Sequence, residues 1–298
     1  MTIENLLQNK KGGMCMTAQA QLLPVKRDYK SRMFTMIFSD KKKLLELYNA
    51  VSGQKYDDPE LLEINTLENA IYMSMKNDVS FVIESRLSLY EHQSTYNPNM
   101  PLRFLLYLAD VYSRMIRDKN IYGTKTILIP PPRFIVFYNG TKKRPDKEIL
   151  YLSNQYMKSD QKVSLELKVD VLNINRGHNK NLLEACKTLK DYSEYVYRIR
   201  EYAKITAIEE AVERAITECI QENILKEFLE QNRAEAKMMS IYEYNEEEHM
   251  RMERAEVHEQ WIEVIFKMTE DGLAEELPRL AKEPDFFEEM LKKYNLTE

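Results

Sequence analysis

Asp78, Glu91 and Gln93 fall within one short stretch, NDVSFVIESRLSLYEHQ (77–93). Side chains along an extended strand point alternately to opposite faces, so Leu87, Leu89, Glu91 and Gln93 share one face of a strand ending at Gln93. That face starts apolar and ends polar, the pattern of a strand that leaves a core and enters a cleft. At about 3.3 Å per residue, Glu91 and Gln93 stand about 6.5–7 Å apart. Asp78 precedes Glu91 by thirteen positions, a separation that a tight strand–turn–strand connection closes. Two carboxylates brought together in this way suit a hard divalent cation, because Mg²⁺ takes oxygen ligands and keeps water and phosphate in its remaining positions.

A helix begun by Pro101 follows, where the fixed φ and missing N–H of proline do no harm. Arg103, Tyr107, Asp110 and Arg114 recur at helical spacing and share a face, with Leu102, Leu105, Leu106 and Ala109 predicted to supply the core side. Two roles for Arg103 stay open at this point, a phosphate contact or a structural partner for a carboxylate. After a buried strand over 133–138, Asn139-Gly140 makes a sharp turn into Thr141-Lys142-Lys143-Arg144-Pro145. Lys142, Lys143 and Arg144 are either a contact to a nucleic-acid backbone or an ordinary solvated run.

The set Asp78, Glu91-X-Gln93, Arg103 and Tyr107 resembles the PD-(D/E)XK nucleases, and in particular the recombination-promoting nuclease/transposase family. In that family an Asp on one strand and Glu-X-Gln on the next stand where restriction enzymes carry Asp and Glu-X-Lys, and the following helix carries Arg and Tyr. The stretches 26–53, 132–140 and 172–196 resemble the family as well. The resemblance implies a restriction-endonuclease-like α/β core, a mixed sheet flanked by helices. It also implies Mg²⁺ (or Mn²⁺ or Ca²⁺) held by Asp78 and Glu91, DNA as the partner, and hydrolysis of phosphodiester bonds with little sequence preference, linked to recombination or mobile elements. Many nucleases of this fold bring a first-helix acid to the metal, so Glu46 is a candidate further ligand, against the alternative of an exposed helix carboxylate. Gln93 is the departure that matters chemically. A lysine would orient water and neutralise phosphate, whereas an amide only hydrogen-bonds. The alternative is a nuclease-derived DNA- or protein-binding module that no longer cuts.

The elements that must position these residues follow from pattern. Ser39-Asp40 caps a helix from Lys41, which carries an apolar stripe of Leu44, Leu45, Leu47, Tyr48 and Val51 and stops at Gly53. A short helical turn is predicted within 28–38, strands over 62–75 (irregular near Asn69), 79–83, 87–93, 133–138 and 163–175, and helices from Gly177-His178-Asn179 to about Lys204 and over 207–237. His178 reads as a loop or capping residue rather than a base.

Composition bounds the rest. The 298 residues divide into a leader (1–25), a nuclease-like domain (26–204) and an acidic helical region (205–298). The last holds 25 acidic and 11 basic side chains, a net of −14, which leaves +9 for the remainder within the overall −5. A basic body is drawn to phosphate, and the stripe over 207–237 either packs on that body or forms a homodimer seam through the C-terminal helices. Cys15, Cys186 and Cys219 have neither disulfide nor zinc spacing, and no glycine-rich phosphate-binding loop appears in the sequence, whose seven glycines leave little room for one. No apolar run reaches the length of a membrane span and no secretory leader is evident, so a cytoplasmic protein that is not embedded in a membrane is predicted.

Overall fold

The computed structural model describes residues 32–64, 78–158, 163–280, 283–294 and 296. The predicted leader, Cys15, the start of the first helical turn and most of the strand over 62–75, with its irregularity at Asn69, lie outside the described residues.

Two short amphipathic helices begin the described chain, α1 (Arg32–Phe38) and α2 (Lys41–Ser52). Asp40 Oδ1 accepts from the backbone N–H groups of Lys42 and Lys43, and Gly53 ends α2 in the left-handed region at φ 71°, as the sequence predicts. A six-stranded mixed sheet follows, built from β1 (Glu63–Ile64), β2 (Val79–Ile83), β3 (Arg86–Gln93), β4 (Pro132–Tyr138), β5 (Lys147–Tyr151) and β6 (Lys168–Asn173), in the order β1-β2-β3-β4-β6-β5. β3, β4 and β6 run parallel; the outer pairings are antiparallel. The strand β5 is not expected from the sequence, because KEILY is short and two of its five residues are charged. Parallel pairing of β3 with β4 requires a crossover, and α3 (Met100–Met115) supplies it.

The sheet divides two cores. On one side, Leu87, Leu89, Val136 and Tyr138 meet Phe104, Tyr107 and Val111 of α3. On the other, Phe81, Tyr90, Ile135 and Phe137 meet α1, α2 and the C-terminal helices. Alternation along β3 therefore holds as predicted. For α3 the prediction needs correction. Leu102 and Leu106 are 47% and 46% exposed, and the buried stripe is Met100, Phe104, Tyr107 and Val111. Both stripes have helical spacing, so periodicity alone could not choose between them; the fit of aromatic rings against β3 and β4 did.

The predicted long C-terminal helices are interrupted. Those described are α4 (Lys180–Ala185), α5 (Lys187–Tyr202), α6 (Ile208–Gln221), α7 (Lys226–Gln231), α8 (Arg233–Glu270), α9 (Leu277–Leu280) and α10 (Pro284–Lys293). The stripe Val212, Ala215, Ile216 and Cys219 of α6 is buried in the larger core, along with Ala236 and Met239 at the start of α8. This stripe packs on the chain's own body and is not available as a dimer seam. The acidic helical region thus begins inside the shared core. Among the described residues, the end of α8 with α9 and α10 forms a separate small cluster, around Val264, Met268, Leu280 and Phe286. Among the described residues no helix is long and apolar enough to cross a membrane.

Gly140 follows β4, and its backbone leaves no space for a side chain. A Cβ there would lie 2.0 Å from the Ser94 carbonyl oxygen and 2.6 Å from the Tyr138 hydroxyl. Gly140→Ala is predicted to destabilise the fold by about 1–3 kcal/mol through overpacking at the end of the sheet. Urea denaturation measures this, and a change within about 0.5 kcal/mol, typical of an unremarkable surface position, would contradict the close approach.

Candidate functional site

A two-residue turn sets the geometry of the site. Glu84 and Ser85 both adopt the left-handed conformation (φ 45° and 61°) and close the β2–β3 hairpin. Such turns fix strand register. Val79 pairs with Tyr90, so the next position along brings Asp78 opposite Glu91. Asp78 Oδ2 accepts from the backbone N–H of His92 at 2.6 Å. The thirteen-residue spacing in the sequence is therefore the spacing of a cross-strand pair.

Glu91 is 4% exposed and points to the α3 side of the sheet. Its Oε1 accepts from Arg103 Nη2 at 2.5 Å, while Oε2 is buried with no hydrogen-bond partner among the described residues. Burial raises its ionisation from the ordinary 4.5 to about 7, opposed by the Arg103 charge and by the Asp78 backbone N–H. Arg103 is in turn held on its own helix: the Tyr107 hydroxyl accepts from Nε at 3.1 Å and from Nη2 at 2.7 Å. Desolvation disfavours the charged guanidinium, but Glu91, Tyr107 and Asp78 outweigh it and raise its pKa. Gln93 completes the cluster, with Nε2 at 2.6 Å from the Met100 thioether, which also receives Arg103 Nη1 at 3.4 Å. A thioether is a weak acceptor, so this amide is readily redirected to a better one.

Glu91, Gln93, Arg103 and Tyr107 thus lie together around Met100, and Asp78 stands opposite Glu91 in the strand register with its carboxylate on the His92 N–H. Of the two roles left open for Arg103, pairing with a carboxylate is the one observed. The loop after β4 stands at the same end of the central strands, since the Asn139 N–H donates to the Gln93 carbonyl at 2.9 Å. Lys142 and Lys143 are exposed there. Arg144 is engaged instead, stacked 3.4 Å from the Tyr96 ring centroid and 3.4 Å from a Glu148 oxygen.

Glu46 is held elsewhere. Its carboxylate accepts from the Lys187 N–H at 2.6 Å and from the Thr188 hydroxyl at 2.6 Å, capping the start of α5, and it is not among the charges that act on Glu91. The favourable place for a carboxylate at a helix N-terminus accounts for this correction. His178 bonds to Asp146 at 2.6 Å, a loop role as predicted.

The opposite side of the β3–β4 end was not legible in the sequence. The His92 ring stacks on Phe34 and meets the Tyr192 hydroxyl at 3.1 Å, and burial lowers its pKa to about 3, so it is neutral. Arg200 donates to the Asn139 side-chain and main-chain oxygens at 3.1 and 2.5 Å. These contacts fasten the backbone whose N–H holds Asp78. No periodic signal links positions 34, 92, 139, 192 and 200.

Among the described residues no group of three or more His, Cys, Asp and Glu side chains could hold a metal. The donor set at Asp78 and Glu91 is nonetheless of the kind Mg²⁺ uses, which is bound through one or two carboxylates with water and substrate phosphate completing its shell. The partnerless Glu91 Oε2 fits such a cation. No family model, curated protein or solved structure matches the chain.

The raised Glu91 pKa has a defined consequence for stability. The folded protein binds this proton more tightly than the unfolded chain, so the contribution is complete below the ordinary 4.5 and is lost as pH rises through about 7. Wild type is predicted to lose stability relative to Glu91→Gln between about pH 5 and pH 8. Paired urea titrations across that range read the difference, and a constant gap would contradict the burial argument.

Proposed function

We propose that the chain is a metal-dependent endonuclease of PD-(D/E)XK type acting on DNA, with little sequence preference, in recombination or in the traffic of mobile elements. The observation that carries this reading is the cross-strand pair Asp78–Glu91 at the end of β3, with one buried Glu91 oxygen lacking a partner and Gln93 beside it. The six-stranded sheet with helices on both faces is compatible with a restriction-endonuclease-like core. Asp78 and Glu91 would hold Mg²⁺, with Mn²⁺ or Ca²⁺ as substitutes. When bound, the cation supplies an activated water and stabilises charge on the scissile phosphate. The remaining work falls to the protein. The Gln93 amide leaves its weak thioether acceptor to orient a water or a phosphate oxygen by hydrogen bonding. Lys142 and Lys143 lie where a DNA backbone approaching the end of the sheet would pass, and a net charge of +9 over residues 1–204 favours that approach.

A second reading is a nuclease-derived DNA- or protein-binding module. It is favoured by Arg103, which already neutralises Glu91, and by the uncharged Gln93. It requires salt-sensitive binding that survives loss of Asp78 and needs no cation.

Purified protein with Mg²⁺ or Mn²⁺ is predicted to nick supercoiled plasmid, and Asp78→Ala and Glu91→Ala to abolish nicking. Gln93→Ala should slow it by about 10–100-fold, the scale of a lost supporting hydrogen bond at a metal site. Equal rates in wild type and both carboxylate variants would reject the nuclease reading. DNA binding without cleavage in any of them would select the module.

A further inference from the structure

Arg103 occupies the carboxylate that a cation would need. Its Nη2 lies 2.5 Å from Glu91 Oε1, while the other oxygen of that carboxylate is buried without a partner. A guanidinium at hydrogen-bond distance and a divalent cation repel each other across one carboxylate, so both do not stay at full strength in this space. Arg103 has somewhere to go. Its side chain is 33% exposed, and Nε is anchored by the Tyr107 hydroxyl one helical turn away, which provides a pivot. Its Nη1 meets, among the described residues, only the weak Met100 acceptor at 3.4 Å. The planar guanidinium fork matches a phosphate as well as it matches a carboxylate.

We propose that Arg103 is a displaceable counter-ion: it neutralises Glu91 while no divalent cation is bound, yields that carboxylate when the cation enters, and then takes a phosphate of the DNA strand. The proposal rests on Asp78 and Glu91 being the cation ligands. It makes cation and DNA binding cooperative, because the cation frees the group that the phosphate needs, and the coupling is reciprocal. A purely structural role makes the opposite demand, since a guanidinium that stays on Glu91 as a support strengthens the cation site and its loss weakens binding.

Calorimetric titration of Mn²⁺ without DNA separates the two. Arg103→Met is predicted to bind Mn²⁺ about tenfold more tightly than wild type, and Tyr107→Phe, which loosens the pivot, to shift in the same direction by less. With a duplex oligonucleotide as probe, Ca²⁺ should raise wild-type affinity over that in EDTA by about tenfold, and Arg103→Met should lose this stimulation. Weaker or unchanged Mn²⁺ binding by Arg103→Met overturns the proposal, as does cation-stimulated DNA binding that survives the substitution. Should Arg103→Met not fold, unchanged Mn²⁺ binding by Tyr107→Phe overturns it. Asp78→Ala distinguishes the levels of failure. If wild type binds Mn²⁺ and Asp78→Ala does not, a negative result concerns Arg103 alone; if neither binds, the cation site itself is lost along with the proposal.

Discussion

A buried carboxylate at the end of a central strand is the constraint around which the chain is arranged. Moving Glu91 out of water is expensive unless a positive charge or a proton compensates it, and the structure supplies both in part. Arg103 reaches it from α3, Tyr107 steadies Arg103, and Tyr107 can do so only because the aromatic stripe of α3 faces the sheet. The helix is therefore seated by its apolar contacts in the orientation that its one charged contact needs. Packing and electrostatics agree here, although they use different residues.

The same strand end is secured from behind. The backbone N–H of His92 holds Asp78 while its neutral ring lies in an aromatic cluster with Phe34 and Tyr192. Arg200 ties down Asn139, whose own N–H bonds to Gln93. One face of β3 thus carries the polar cluster and the other carries its support. Helix α5, which carries Tyr192 and Arg200, contributes that support from within the larger core, together with α6, α7 and the start of α8, which belong to the acidic region. An acidic composition and a structural role coexist where the acids stay at the surface in ion pairs, as in Arg198–Glu222 and Arg233–Glu213.

Much of this was written in local pattern. Alternation in Leu87–Gln93 assigns Glu91 and Gln93 to one face, Asp40 and Gly53 bracket α2, and Pro101 opens α3. Each depends only on backbone periodicity or on the conformational preference of a single residue type. The pairing of Asp78 with Glu91 was legible for the same reason, since a two-residue turn between adjacent strands leaves few registers.

What local pattern did not contain is which of two competing partners a side chain takes. Leu102 and Phe104 both lie on helical stripes of α3, and only the shape of the β3–β4 surface made Phe104 the buried one. Glu46 had the chemistry of a ligand and a place on an early helix, yet the start of α5, some 140 positions later, offered it unsatisfied N–H groups. The strand β5 exists because β6 presents an open edge to pair with, and the back wall of His92, Asn139, Tyr192 and Arg200 unites residues with no shared period. Sequence alone determined α2, the strands β2 to β4, the start of α3 and the polar set at the strand end, because those follow from short-range geometry. The tertiary structure decided the partners of each charge, because burial and hydrogen bonding between distant segments are settled only when the sheet and helices close on one another.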